Sequence, residues 1–252
     1  MRKLILFDVD GTIAESSKKA DDAILVQLGM MKDKDIQYGL ISGGTYNKIK
    51  SQVGIHHIES NNPLFNYIFS ENGMIGYHCG KKFFEKNLSM LYSDEKIYEI
   101  QKYILNNSKN FIKNYDSTKE IILERRNSMW YFSPYGVYCD DKNRKEFMKK
   151  DNEDKIRINI IKNLSKTLKD KYNLTIKLGG NIGLAIHPIG WDKSYIINHN
   201  ILDNKKYDNI YFFGDRCEPN GNDYPLYIHP QIKGISVNNP KETLQILLKS
   251  KY

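Results

Sequence analysis

Apolar residues along this chain cluster in short blocks set between polar, charged or glycine-containing stretches. The tightest block, Leu4 to Phe7, is apolar at every position. That is the pattern of a strand buried on both faces of a parallel sheet. Ile36–Ile41, Tyr67–Ser70 and Asn209–Phe213 read as further strands. Helical patterns lie between the first three, over Asp22–Met31 and Tyr46–Val53. Strand and helix in alternation predict a parallel sheet with right-handed crossovers. From Pro188 the same grammar returns, with a helix over Ser194–Ile201, a strand over Ile235–Val237 and a helix over Lys241–Leu248.

The middle of the chain reads differently. Met74–Phe84 resembles a hairpin, and Ser93–Asn106 has helical periodicity. Ile121–Leu123, Met129–Phe132, Leu174–Leu178 and Ile182–Ile186 read as strands of a second sheet. Asp141–Leu168 is a charged helical stretch with a one-sided stripe of Phe147, Ile156, Ile160, Ile161, Leu164 and Leu168. The expected architecture is therefore α/β: a Rossmann-like parallel-sheet core from residues 1–81 and 188–252, with an α+β cap inserted at 82–187.

The polar residues at the strand ends carry the chemistry. Asp8 and Asp10, followed by Gly11 and Thr12, end the first strand. Asp and Gly suit a turn rather than a strand, so the carboxylates fall at the carboxyl edge, where open α/β sheets bind ligands. Two acids so close repel unless a cation lies between them. Ser42-Gly43-Gly44-Thr45 ends the second strand, a turn whose N–H groups can approach an oxyanion. Lys193 follows Gly190-Trp191-Asp192, and Asp215, Asn222 and Asp223 follow the strand at 209–213.

Composition narrows the class. The 252 residues carry a formal charge of +8, which suits a phosphorylated substrate. The lysines are scattered and no groove-reading motif is present, against a nucleic-acid partner. Three cysteines, Cys79, Cys139 and Cys217, lack metal-like spacing and fit reduced thiols in the cytoplasm. No secretory leader or membrane-length apolar run is read.

Asp8-x-Asp10-Gly11-Thr12, Ser42/Thr45, Lys193 and Asp215 with Asn222 and Asp223, in this order, resemble the haloacid dehalogenase superfamily of phosphatases and phosphotransferases. The resemblance implies that Asp8 is a nucleophile forming an aspartyl phosphate and that Asp10 is the general acid and base. It implies that Lys193, Thr45 and Ser42 contact the phosphoryl group. It further implies Mg²⁺ held by Asp8, Asp10 (through its main-chain carbonyl) and Asp215, with Asn222 or Asp223 ordering its water.

Glu71-Asn72-Gly73, Arg126-Asn127-Ser128-Met129, Ser133-Pro134-Tyr135-Gly136, Gly190-Trp191-Asp192-Lys193 and the run from Phe212 to Asp223 resemble the eukaryotic-type phosphomannomutases. That family interconverts mannose 6-phosphate and mannose 1-phosphate through a hexose 1,6-bisphosphate. The resemblance implies a hexose phosphate substrate, a homodimer formed through the cap, a place in GDP-mannose biosynthesis, and substrate contacts at Arg126, Asn127, Arg144, Gly180 and Gly183. The chain departs from the pattern at Ser17 and Val137, where arginines are expected, and at Gly183 and Ala185, where the family has a serine and an aspartate. These losses keep a Mg²⁺-dependent phosphatase on the same scaffold, acting on a sugar phosphate or another small phosphoester, open as the alternative. A silent binding protein is disfavoured by the intact Asp8, Asp10, Lys193 and Asp215.

Overall fold

The computed structural model describes residues 1–112, 122–136 and 140–249. The chain divides into two compact units, Met1–Glu85 with Gly190–Tyr252, and Lys86–Ile189.

The first unit contains β1 (Lys3–Phe7), α1 (Asp22–Met31), β2 (Ile36–Ile41), α2 (Tyr46–Val53), β3 (Tyr67–Ser70), β4 (Ile75–His78) and β5 (Lys81–Glu85). The second holds α3 (Asp94–Ile112), β6 (Ile122–Arg125), β7 (Trp130–Ser133), α4 (Asp141–Asp154), α5 (Ile156–Tyr172), β8 (Leu174–Gly179) and β9 (Gly183–Pro188). The chain then returns to the first with α6 (Tyr195–Asn198), β10 (Asn209–Gly214), α7 (Tyr224–Tyr227), β11 (Lys233–Ser236) and α8 (Pro240–Lys249).

The larger sheet runs β11-β10-β1-β2-β3-β4-β5. Its first five strands are parallel, and β4 and β5 add antiparallel at one edge. Residues 82–85, assigned to the cap on sequence grounds, thus belong to the edge strand of this sheet. Lys81-Lys82-Phe83-Phe84-Glu85 has no alternation to mark it as either. β1 is buried on both faces, as its unbroken apolar run predicts: Ile5 and Phe7 pack with Ile24, Leu28, Ile49 and Leu247 of α1, α2 and α8. Leu4 and Leu6 pack on the opposite side with Ile196, Ile197 and Leu226 of α6 and α7.

The cap sheet is antiparallel in the order β6-β7-β9-β8. Trp130, Phe132, Leu184, Ile186 and Ile176 pack with Ile97, Ile100 and Ile104 of α3 and with Ile160, Leu164 and Leu168 of α5. The single helical stretch expected over 141–168 is two helices, broken at Lys155, which adopts the left-handed region at φ 55°. The break carries a buried ion pair that the sequence did not advertise. Arg157 Nε donates to Asp151 Oδ2 at 2.7 Å, and Nη1 donates to the carbonyl oxygens of Gly180 (2.9 Å) and Gly183 (3.4 Å). Gly180 and Gly183 are therefore tied to α5 through their backbones. Among the described residues no helix is long and apolar enough to cross a membrane.

Candidate active site

β1 has β10 on one side and β2 on the other, so strand order reverses beside it. A crevice opens at the carboxyl ends of strands at such a switch point. Asp8, Ser42 and Asp215 are the residues that immediately follow these three strands. The loops are laced together: Asp8 N donates to Phe213 O at 2.8 Å, and Ser42 N to Phe69 O at 2.9 Å.

Lys193 joins these strand ends. Its side chain is wholly buried, and Nζ donates to Asp8 Oδ1 (2.5 Å), Asp223 Oδ1 (2.6 Å) and Ile41 O (2.9 Å). An ammonium has three protons, and all three are used. Burial opposes the Lys193 charge, but Asp223 and Asp8 outweigh it and hold the pKa above the usual lysine value. Asp8, Asp215 and Asp223 each bring a carboxylate oxygen within 4.8 Å of the others. Burial pushes Asp8 well above the ordinary carboxylate range, with Asp223 and Asp215 adding to it and Lys193 opposing. Burial and Asp223 likewise push Asp215 up to about 7, even though Arg216 Nε lies 3.5 Å away. The pocket therefore holds more negative charge than its ammonium neutralises, and its donors are hard oxygens. Both traits fit a small divalent cation.

The loops are shaped for this crowding. Gly11 has φ 88°, and a Cβ there would stand 2.4 Å from Asp215 Oδ2. Gly11→Ala is expected to displace Asp215 and to strain the turn, at a cost of about 1–3 kcal/mol. It should also weaken Mg²⁺ binding roughly tenfold or more. Thermal melting and Mg²⁺ titration of the purified variant read the two effects separately.

Asp10 does not join the carboxylate cluster. Its carboxylate accepts from Lys48 Nζ, from Gln52 Nε2 at 2.9 Å and from Ser17 N at 2.7 Å. Burial alone would raise its pKa, but the Lys48 charge and these hydrogen bonds prevail and lower it. Sequence reading missed Lys48 and Gln52. The available signal was spacing, since Thr45, Lys48 and Gln52 at i, i+3 and i+7 share one face of α2. Ser17, where an arginine was expected, contributes a backbone donor instead.

Thr45 is the N-cap of α2, its Oγ1 accepting from Lys48 N at 3.3 Å. Ser42 Oγ accepts from Gly44 N at 3.1 Å. Both hydroxyls keep their own proton to donate. Asn222 Nδ2 donates to Asn72 Oδ1 at 3.5 Å, and both side chains lie against Gly43. Asp223 is fully engaged, with Oδ1 on Lys193 and Oδ2 accepting from Arg216 N at 2.9 Å.

The cap candidates fall into two groups. Arg126 Nη2 donates to Glu124 Oε2 at 2.8 Å, and its guanidinium lies 4.7 Å over the Tyr131 ring. Asn127 accepts at its backbone oxygen from Leu88 N at 2.7 Å. Gly180 and Gly183 are held through their carbonyls by Arg157. Arg144 lies half-buried in α4. Val137 lies outside the described residues.

The sequence pattern of the family described as eukaryotic phosphomannomutase matches residues 26–250. Phosphomannomutase 2 of Dictyostelium discoideum is 34% identical over 251 residues, covering 97% of this chain and 94% of that protein. Human phosphomannomutase 1 is 32% identical over 246 residues, with 97% and 90% covered. Among solved structures, the C-terminal domain of Candida albicans trehalose-6-phosphate phosphatase aligns over 98% of this chain and 90% of its own, with TM-score 0.61 at 17% identity. That likeness gives the fold. Near full-length similarity to phosphomannomutases settles the narrower question, and the chain belongs to the eukaryotic phosphomannomutase family.

Proposed function

We propose that the chain interconverts mannose 6-phosphate and mannose 1-phosphate by passing a phosphoryl group through Asp8, with hexose 1,6-bisphosphate as activator. The observation that carries the reading is the buried Lys193–Asp8 contact, with Asp215 and Asp223 gathered around it. Family membership favours a mutase over a phosphatase.

In the forward half, Asp8 attacks phosphorus, the bond from phosphorus to the sugar oxygen breaks, and Asp10 protonates that leaving oxygen. In the reverse half, a sugar hydroxyl attacks the aspartyl phosphate, its proton passes to Asp10, and Asp8 departs as a carboxylate. Lys193 offsets charge on the phosphoryl oxygens, and the hydroxyls of Ser42 and Thr45 donate to them. Asp8, Asp215 and the main-chain carbonyl of Asp10 would hold Mg²⁺, with Asn222 and the already engaged Asp223 orienting its water. An ion held there would supply positive charge that favours the ionised form of Asp8 and Lewis-acid polarisation of the phosphoryl group. Lys48, Gln52 and Ser17 N hold Asp10 as an anion, the form needed when a phosphorylated enzyme first meets a sugar monophosphate.

Phosphorus NMR of the protein with Mg²⁺, mannose 1-phosphate and a trace of hexose 1,6-bisphosphate tests the reading. Mannose 6-phosphate is the expected product. Inorganic phosphate alone would establish the phosphatase alternative. Arg126 and Arg144 are our candidates for the distal phosphate, which a guanidinium can grip bidentately. Arg126→Ala should raise KM for mannose 1-phosphate roughly 10–100-fold. It should impair p-nitrophenyl phosphate, which has no distal group, far less. Equal loss on both substrates would remove Arg126 from that role. The free thiols at Cys79 and Cys217 suit a cytoplasmic enzyme, and we expect a homodimer through the cap that light scattering would reveal.

A further inference from the structure

The cap sheet has one face packed on α3 and α5. Its other face carries a cross-strand row fixed by register: Glu124 pairs with Tyr131, Tyr131 with Ala185, and Ala185 with Lys177. Directly opposed residues of an antiparallel pair share a face. One strand position from Ala185 on that face is Gly183. A Cβ at Gly183 would stand 2.2 Å from both Cζ and Oη of Tyr131. The phenol therefore occupies the volume that any side chain at 183 would need. Its hydroxyl end is where a short polar side chain from β9 would have placed its own hydroxyl.

Three further contacts make this a built arrangement. The Arg126 guanidinium lies 4.7 Å over the Tyr131 ring, within cation–π range. Arg157 holds the carbonyls of Gly180 and Gly183, so the turn against which the phenol rests is anchored to α5. Ala185, small and buried, is the only residue separating Tyr131 from Lys177 along the row. A planar cation stacked on a ring whose far end is an O–H donor presents two kinds of donor to phosphate oxygens.

We propose that Tyr131 is a substrate-contacting, specificity-determining residue of the cap. Its hydroxyl, supplied from β7, takes the place of a β9 side chain at 183 and donates to the phosphate that Arg126 binds. The assignment deepens the mutase reading and rests on it. It also gives Gly183 a purpose: the glycine makes room for the ring that delivers the hydroxyl.

Tyr131→Phe keeps the ring and its stacking with Arg126 and removes only the hydroxyl. With Mg²⁺, mannose 1-phosphate and hexose 1,6-bisphosphate, KM is expected to rise about tenfold, with most of the loss in KM rather than kcat. The loss should be several-fold larger on mannose 1-phosphate than on p-nitrophenyl phosphate. Gly183→Ser alone should impair binding by colliding with the ring, and the pair Tyr131→Ala with Gly183→Ser should recover KM toward the parent value. An unchanged KM in Tyr131→Phe, or equal loss on both substrates, overturns the assignment. So does a Gly183→Ser protein as active as the parent. If the serine variant does not fold, Tyr131→Phe decides alone. A parent enzyme that converts no mannose 1-phosphate overturns the mutase reading itself. An active parent with an unaffected Tyr131→Phe overturns only the role of Tyr131.

Discussion

Replacing Asp8 with asparagine is expected to abolish turnover and, in Mg²⁺-free buffer at neutral pH, to raise thermal stability. The first effect follows from its position: an amide cannot form the aspartyl phosphate. Loss of a nucleophile of this kind lowers kcat by about 10⁴-fold or more. The second follows from the same surroundings. Burial and the carboxylates of Asp223 and Asp215 raise the Asp8 pKa in the folded protein. An acid whose folded pKa lies above its unfolded value of about 4 opposes folding once the pH exceeds that value. Removing its charge relieves the cost, so the variant should melt roughly 2–4 °C higher at pH 7. The gain should vanish as the pH falls to about 4. Added Mg²⁺ should stabilise the parent more than the variant, because binding to the folded state alone raises its stability. Retained turnover would dismiss Asp8 as nucleophile. A lower melting temperature without metal would contradict the account of crowded charge.

Lys193→Met carries the largest expected loss of stability. The ammonium is fully buried and satisfies Asp8, Asp223 and the Ile41 carbonyl together. Without it Asp8 and Asp223 lose the ammonium that both accept from. Breaking a buried pair in this way costs about 3–5 kcal/mol. The melting transition should fall by roughly 10 °C. Mg²⁺ should restore part of that loss in the variant, because a cation held by the same carboxylates would offset their charge. Urea denaturation with and without Mg²⁺ measures both. A variant within about 1 kcal/mol of the parent would show that the lysine is not the electrostatic centre of the site.

Some of this was legible from the residues and some was not, for identifiable reasons. Leu4–Phe7 and the acids after it located β1 and the site because a doubly buried strand leaves no room for polar residues, and polar residues at its end therefore stand out. α1 and α2 occupy the spans that periodicity predicted. β5 was misassigned because Lys81, Lys82 and Phe83 are exposed on an edge strand, where burial imposes no pattern. The break at Lys155 escaped notice because it depends on a left-handed lysine, a residue type with no special liking for that conformation. The helix expected over 194–201 is only Tyr195–Asn198. Among site residues, the motif positions Asp8, Lys193, Asp215 and Asp223 do converge, while Asp10 turns toward Lys48 and Gln52. The spacing of Thr45, Lys48 and Gln52 puts them on one face of α2, but nothing local says that this face meets Asp10 on another element. Arg157 lies within the charged helical stretch 141–168, where nothing in the pattern marks it as interior, yet it is buried against Asp151.

β1 pairs with β10 residue for residue, Lys3 against Asn209 through Phe7 against Phe213. During synthesis the amino-terminal strand must therefore wait for about two hundred residues to leave the ribosome before its neighbour exists. The segment 86–189, whose sheet and helices are drawn from its own span, meets no such delay and can form first. Until β10 has been made, β1 keeps that edge open. A chain stalled before residue 209 leaves that edge uncovered, an open strand that holdase chaperones and proteases would recognise.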